Sequence, residues 1–169
     1  MNIIRVERAK VNFTSDISVD GYRMPNGEFR VGITGAAIAL GYDKTWILQV
    51  VSRGGKALEV LQGMGFTGCQ LKGKVDREPS HIRGASNVST ISLKDFGILI
   101  FYAAQQKKAE AIAIGLALLE TTLTDFFKDA FGETLLTIDQ KREMMSTSYA
   151  QTLNWILEDR RDIESLSLV

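Results

Sequence analysis

The sequence predicts an α+β fold: an N-terminal β-hairpin with a helix-turn-helix-like pair and a wing, then a C-terminal helical layer of about three helices. Three observations predict it. Apolar residues in the first 33 positions partly alternate with polar ones, the period of a half-buried strand. At Thr34 the period lengthens to that of a helix. Beyond Ser92 apolar residues recur at three- and four-residue steps almost to the end of the chain. The 169 residues are 45% hydrophobic, 24% charged and 8% aromatic, an ordinary globular composition that excludes a disordered chain, a collagen or a coiled-coil rod. We expect an α+β domain over residues 1–132 and a further helix over 133–169, packed on its own chain or on a partner.

Residues 3–13 carry Ile4, Val6, Val11 and Phe13 in partial alternation and read as a strand. Residues 17–33 read as a hairpin about Pro25-Asn26-Gly27, because Asn and Gly accept the positive φ of tight turns. On its return strand Phe29, Val31 and Ile33 share a face. Thr34 is placed to cap a short helix over 36–40 that Gly41 ends, and Asp43 to cap a second over 44–53 that Gly54-Gly55 stops. In the second helix Trp46, Ile47, Val50 and Val51 share the inward face, which leaves Lys44, Thr45, Gln49 and Arg53 mostly outside. A third short helix follows over 56–62, with Leu58 and Leu61 inward.

Residues 66–75 read as a strand with Lys72 and Lys74 on its polar side. Residues 88–93 read as its return, and the intervening loop, with Arg77, Pro79, His81, Arg83 and Gly84, would project as a basic wing. Ser92 with Asp95 resembles a capping box opening a helix whose inward stripe is Phe96, Leu99, Ile100 and Ala103. After a turn at 105–108, residues 109–130 form a long helix with Ile112, Leu116, Leu119, Leu123, Phe126 and Phe127 inward. Gly132 caps it. Thr137 and Gln140 form a capping box for a last helix to about residue 159, with the stripe Met145, Tyr149, Leu153 and Ile156 and with Trp155 beside it.

Composition also bounds function. A single cysteine, Cys69, forms no intrachain disulfide and points to a reducing compartment; we read it as a buried structural cysteine in the 66–75 strand. One cysteine and one histidine do not make a structural zinc site. Arg5, Glu7, Arg8 and Lys10 interrupt the first twenty residues, unlike a signal peptide, and Lys107, Lys108 and Glu110 divide the apolar stretch 96–119. A cytoplasmic protein without membrane spans is expected. Net charge is zero but unevenly distributed: residues 1–95 hold 13 Lys and Arg against 9 Asp and Glu, and residues 96–169 hold 7 against 11.

Few residues suggest chemistry. His81, in its loop, reads as an exposed loop histidine rather than a general base. The glycines at 32 and 35, at 54 and 55, and at 63, 65 and 68 have neither the Walker nor the dinucleotide spacing and read as turn glycines. Asp125 and Asp129, at i and i+4, could hold a divalent metal as a nuclease would require, but read first as a solvated acidic face. No catalytic residue, metal or cofactor is expected. What remains is a basic surface: Lys44, Arg53, Lys56, Lys72, Lys74 and Arg83 placed for phosphates, with Thr45 and Gln49 placed to reach base edges.

The stretch Gly27-Glu-Phe-Arg-Val-Gly-Ile-Thr-Gly-Ala-Ala-Ile-Ala-Leu-Gly-Tyr42 resembles the core of the Bro-N domain of phage antirepressors, to which KilA-N domains are related in plan. The run Ile91-Ser-Leu-Lys-Asp-Phe-Gly-Ile-Leu-Ile100 is similar to that family's second block. The likeness spans roughly residues 15–130. It departs at Thr34-Gly35, where the family usually carries an acid, and after Tyr42, where Trp46 stands and basic residues are fewer. The resemblance implies a DNA-binding or antirepressor-like regulator, and carries over only to the turn Ala39-Leu40-Gly41-Tyr42 and the positions just after it. The expected function is therefore a non-catalytic regulator that binds double-stranded DNA. Its rivals are a module that dimerises or sequesters a repressor protein, and a metal-dependent nuclease.

Overall fold

The computed structural model describes residues 4–75 and 86–168. The chain divides into two compact units, Met1–Val11 with Ser18–Leu99, and Asn12–Ile17 with Ile100–Val169. One boundary, between Leu99 and Ile100, falls inside a helix.

The first unit is built on a five-stranded sheet of β1 (Glu7–Asn12), β2 (Ser18–Arg23), β3 (Phe29–Gly32), β4 (Leu71–Val75) and β5 (Ser86–Ser92), in the spatial order β1-β2-β3-β5-β4. The hairpin expected over 17–33 is present, with Gly21 opposite Val31 and Arg23 opposite Phe29. Its turn is closed by Met24 N–H to Glu28 O at 2.9 Å and Gly27 N–H to Met24 O at 2.9 Å, and Gly27 sits at φ 88. Phe29 departs from the expected buried face: it is exposed at the turn end, while Val31 is buried and Ile33 has already entered a helix.

The sheet curls until its edges meet. Residues 4–6 run beside β4, Val6 N–H donating to Lys74 O at 3.0 Å and Lys74 N–H to Ile4 O at 2.8 Å, before the chain continues into β1 beside β2. Two glycines make the approach possible. A Cβ at Gly73 would lie 2.8 Å from a Val6 methyl, and one at Gly21 would lie 2.6 Å from a Val11 methyl. The enclosed core is Val6, Tyr22 and Met24, with Ile4, Leu71, Val75 and Val88 packed against it. Closure leaves no free edge between β1 and β4 at that level, so the strands gain hydrogen bonds that an open sheet would forfeit to water.

Helices α1 (Ile33–Ala39), α2 (Trp46–Arg53) and α3 (Lys56–Gly63) follow β3. Helix α1 starts one residue ahead of Thr34; its cap position is Gly32, and no side chain caps it. It ends as the sequence indicates. Gly41, at φ 84, donates to Ile38 O at 3.0 Å, and Tyr42 N–H reaches back to Ala37 O at 3.0 Å. This pair of bonds satisfies the last carbonyls of the helix and needs a left-handed residue at Gly41.

The strand expected over 66–75 is shorter than expected. Residues 66–70 are not strand; Gly68 has φ 65, and Cys69, expected to be buried, is an exposed free cysteine. The segment is held instead by Asp95, whose buried carboxylate accepts from Thr67 N–H at 3.0 Å and from the Thr67 hydroxyl at 2.7 Å. Asp95 N–H donates to Ser92 Oγ at 3.0 Å, which is half of the anticipated capping box. The acid cannot complete the box because it is engaged with Thr67.

The second unit contains the end of α4 (Leu93–Gln105), α5 (Ala109–Ala130) and α6 (Ile138–Ser167). The α4 stripe of Phe96, Leu99, Ile100 and Ala103 is buried as expected. The α6 capping box is complete, Gln140 N–H on Thr137 Oγ1 at 3.2 Å and Thr137 N–H on Gln140 Oε1 at 2.9 Å. The α5 helix corrects the sequence reading. Its buried face is Ala109, Ala111, Ala113, Ile114, Ala117 and Thr121, mostly small side chains that let neighbouring backbones come close. The larger stripe, Leu116, Leu119, Leu123, Phe126 and Phe127, is left about half exposed or more. In α6, which runs to Ser167 rather than about 159, only Met145 is fully buried, and Trp155 is 74% exposed. No described helix is long and apolar enough to cross a membrane.

Candidate nucleic-acid interface

The residues expected to meet DNA lie on two elements of the first unit. Gln49 and Arg53 stand four residues apart on α2 and form an outward ridge, with half-exposed Thr45 four residues earlier at the cap position, because Ile47, Val50 and Val51 turn the opposite face inward. Lys44 precedes this ridge and Lys56 follows it at the start of α3, both exposed. Lys72 and Lys74 occupy alternate positions of β4, on the side away from the core residues Leu71 and Val75. Among the described residues none of these five cations is in an ion pair. The antiparallel pairing of β4 with β5 that a wing requires is present, Leu71 opposite Thr90 through Val75 opposite Ser86. The loop between them, with Arg77, His81 and Arg83, lies outside the described residues.

The ridge is ordered by its own hydrogen bonds. Asp43 Oδ1 accepts from Thr45 N–H at 2.9 Å and from the Thr45 hydroxyl at 2.5 Å, and Gln49 Nε2 donates to Thr45 Oγ1 at 2.9 Å. Thr45 Oγ1 thus both donates to Asp43 and accepts from Gln49. Among the described residues the side-chain oxygen Oε1 of Gln49 and one of its Nε2 hydrogens remain open. Asp43 is also where the sequence placed a cap, although α2 itself begins after Thr45. The hydrogen bonds from Thr45, first the hydroxyl and then the backbone N–H, hold the Asp43 carboxyl below its ordinary value, with Lys44 adding to the effect. Asp43 therefore stays negative at neutral pH. It favours the helix N-terminus but opposes a phosphate there.

Two features were not anticipated. Tyr42 and Trp46 stack in parallel, ring centroids 3.8 Å apart and planes 4° apart, so the turn entering α2 is stiffened by an aromatic pair. The i, i+4 aromatic spacing is visible in the sequence, but an inward amphipathic face absorbed it. The other is Arg30, a cation of β3 that is buried. It donates from Nε to Thr90 Oγ1 at 2.9 Å, from Nη2 to Cys69 O at 2.7 Å and Thr90 O at 3.2 Å, and from Nη1 to Glu28 at 2.7 Å. Arg30 thereby ties the segment leading into the Lys72–Lys74 strand to the centre of the sheet.

No family model, curated protein or solved structure matches this chain. The site therefore rests on its geometry. In the acidic pair expected as an alternative centre, Asp125 is engaged by its own chain: Lys141 Nζ lies 2.7 Å from Asp125 Oδ2, and Leu136 N–H donates to Asp125 Oδ1 at 2.8 Å. Those contacts, Lys141 first, hold the Asp125 carboxyl below its ordinary range. Among the described residues no group of three or more His, Cys, Asp or Glu side chains could hold a metal ion.

Proposed function

We propose that this protein is a non-catalytic regulator that binds double-stranded DNA through α2 and the cations flanking it. The observation that carries the reading is the exposed Gln49–Arg53 ridge, on a helix that follows a tight glycine turn, with Lys44 and Lys56 at its two ends. A short helix presented in this way has the dimensions to enter a major groove, where a glutamine amide pairs with an adenine edge and lysine and arginine meet phosphates. The resemblance of the 27–42 segment to the Bro-N core agrees with this reading. Lys72 and Lys74 would add phosphate contacts from β4.

The test is a fluorescence-anisotropy titration of the full chain with mixed duplex DNA over a salt series. Each phosphate contact adds about 0.9 to the slope of log affinity against log salt. Three to five contacts predict a slope of roughly −3 to −4.5. Arg53→Ala should lower its magnitude by about 1, uniformly across sequences. Gln49→Ala should change preference among sequences and leave the slope unaltered. Absence of binding at low salt and tens of micromolar protein refutes the reading.

A further inference from the structure

The stripe that α5 leaves exposed has an ordered spacing. Ile112, Leu116, Leu119, Leu123, Phe126 and Ala130 follow one another at steps of four, three, four, three and four, the seam spacing of a coiled coil. On a 3.6-residue helix these six positions form a single line, about 27 Å long at 1.5 Å per residue. Their neighbours Phe127 and Phe131 are 66% and 78% exposed, and Phe126 is 69% exposed. At about 200 Å² for a fully exposed phenylalanine and somewhat less for leucine, the three phenylalanines with Leu116, Leu119 and Leu123 present on the order of 700 Å² of apolar surface. The largest apolar patch of a typical monomer is about 300–600 Å². One side of a stable dimer needs roughly 800 Å², about two thirds of it apolar. The patch is the size of a dimer half.

We infer that this α5 stripe and the groove between α5 and α6 form an isologous dimer interface, occupied by α5 of a second copy running antiparallel. The area, close to one half of a dimer interface, is what argues for a second copy, and a spacing that reads identically in both directions lets its α5 run antiparallel in register. An antiparallel match centred at the level of residue 121 sets Leu119 against Leu123 of the second copy, Leu116 against Phe126, and Ile112 against Ala130. Every layer then closes with a pair of equal bulk or with a larger residue against a smaller one, and a two-fold axis brings the patch onto itself. The seam carries no charge. Its flanking Glu120 and Lys128 fall level with uncharged Thr122 and Ile114 of the second copy, so no like charges are opposed. The α6 wall of the groove is lined by Ser148, Gln151 and Thr152, short or uncharged side chains that leave a volume of ≈ 700 Å³ beside Leu116, Leu119 and Leu123.

The test is sedimentation equilibrium of the full chain between about 0.1 and 100 µM. The expected species is twice the 18.7 kDa chain mass. Leu119→Glu should raise the dissociation constant at least 100-fold while the far-ultraviolet circular dichroism stays unchanged, because the side chain is about half exposed in the single chain. Leu119→Lys combined with Leu123→Glu should restore the dimer, since the antiparallel register pairs each lysine with a glutamate. A wild-type monomer at 100 µM, a dimer indifferent to Leu119→Glu, or a double variant no better than the single one would each overturn the proposal.

Discussion

Replacing Arg30 tests how the first unit holds its binding surface. The guanidinium is only 5% exposed and donates three bonds to groups on the β5 side of the fold, Thr90 Oγ1 at 2.9 Å, Thr90 O at 3.2 Å and Cys69 O at 2.7 Å. Its fourth contact, Glu28 at 2.7 Å, is to a side chain 39% exposed and counts for little because water screens it. Arg30→Ala leaves buried carbonyls without a donor and opens a volume a methyl group cannot fill. Hydrogen bonds to a charged group contribute about 1.5–3 kcal/mol each, and these three share neighbours, so the expected loss is about 3–5 kcal/mol. Arg30→Lys keeps the charge but not the planar fork, so at least two bonds are lost and the cost should be at least half as large. The chain holds two tryptophans, Trp46 in the first unit and exposed Trp155 in the second. In a Trp155→Phe background, Trp46 fluorescence reports the first unit alone during urea unfolding. At a slope near 2 kcal/mol per molar urea, the Arg30→Ala midpoint should fall by roughly 2 M. An Arg30→Lys midpoint indistinguishable from the parent, or an Arg30→Ala loss under about 1 kcal/mol, would show that the buried network is not what fastens the 66–70 segment.

Four further outcomes follow from the same geometry. Gly73→Ala places a methyl 2.8 Å from Val6 and should cost about 1–3 kcal/mol in chemical denaturation; adding Val6→Ala should recover part of that loss, whereas two independent penalties would disprove the close approach. Asp95→Ala removes the acceptor of both Thr67 bonds and should cost about 2–3 kcal/mol, with Thr67→Ala costing less because the backbone N–H bond survives. Lys107 closes α4 at φ 60, a conformation that penalises a side chain, so Lys107→Gly should raise the melting free energy by about 0.5–1 kcal/mol; destabilisation would falsify the strain argument. The Asp125 carboxyl is held low by Lys141 and Leu136, so its stabilising effect is present above the ordinary carboxylate value near 4 and disappears as pH falls through the depressed folded value. Asp125→Asn should therefore flatten the acid limb of the melting-temperature curve, and an unchanged limb would exclude that linkage.

The parts of the fold that can be read from sequence are those whose causes lie within a few residues. Pro25-Asn26-Gly27 closes its own hairpin, Gly41 closes α1 through bonds to Ile38 and Ala37, and Thr137 with Gln140 opens α6 from three residues apart. The ridge of α2 is legible for the same reason, since its inward face fixes which residues remain outside. Long-range causes are not legible in this way. Sheet closure joins residues 4–6 to β4, some seventy positions later, and Gly73 looks like any strand glycine until Val6 lies against it. The burial of Arg30 is not legible either, because nothing nearby in sequence shows that Thr90 and the Cys69 carbonyl converge on it.

The α5 helix shows a deeper limit. An apolar stripe is equally well formed whether it faces a core or a second molecule, so periodicity gives the direction of the face and not its occupant. What separates the two cases is the other side of the helix. In α5 the small residues Ala109, Ala113 and Ala117 pack inward and Leu116, Leu119 and Leu123 do not. A helix whose larger apolar residues serve its own core would place the alanines outside. The reverse arrangement leaves a row of bulky apolar side chains at the surface, the pattern of an interaction face.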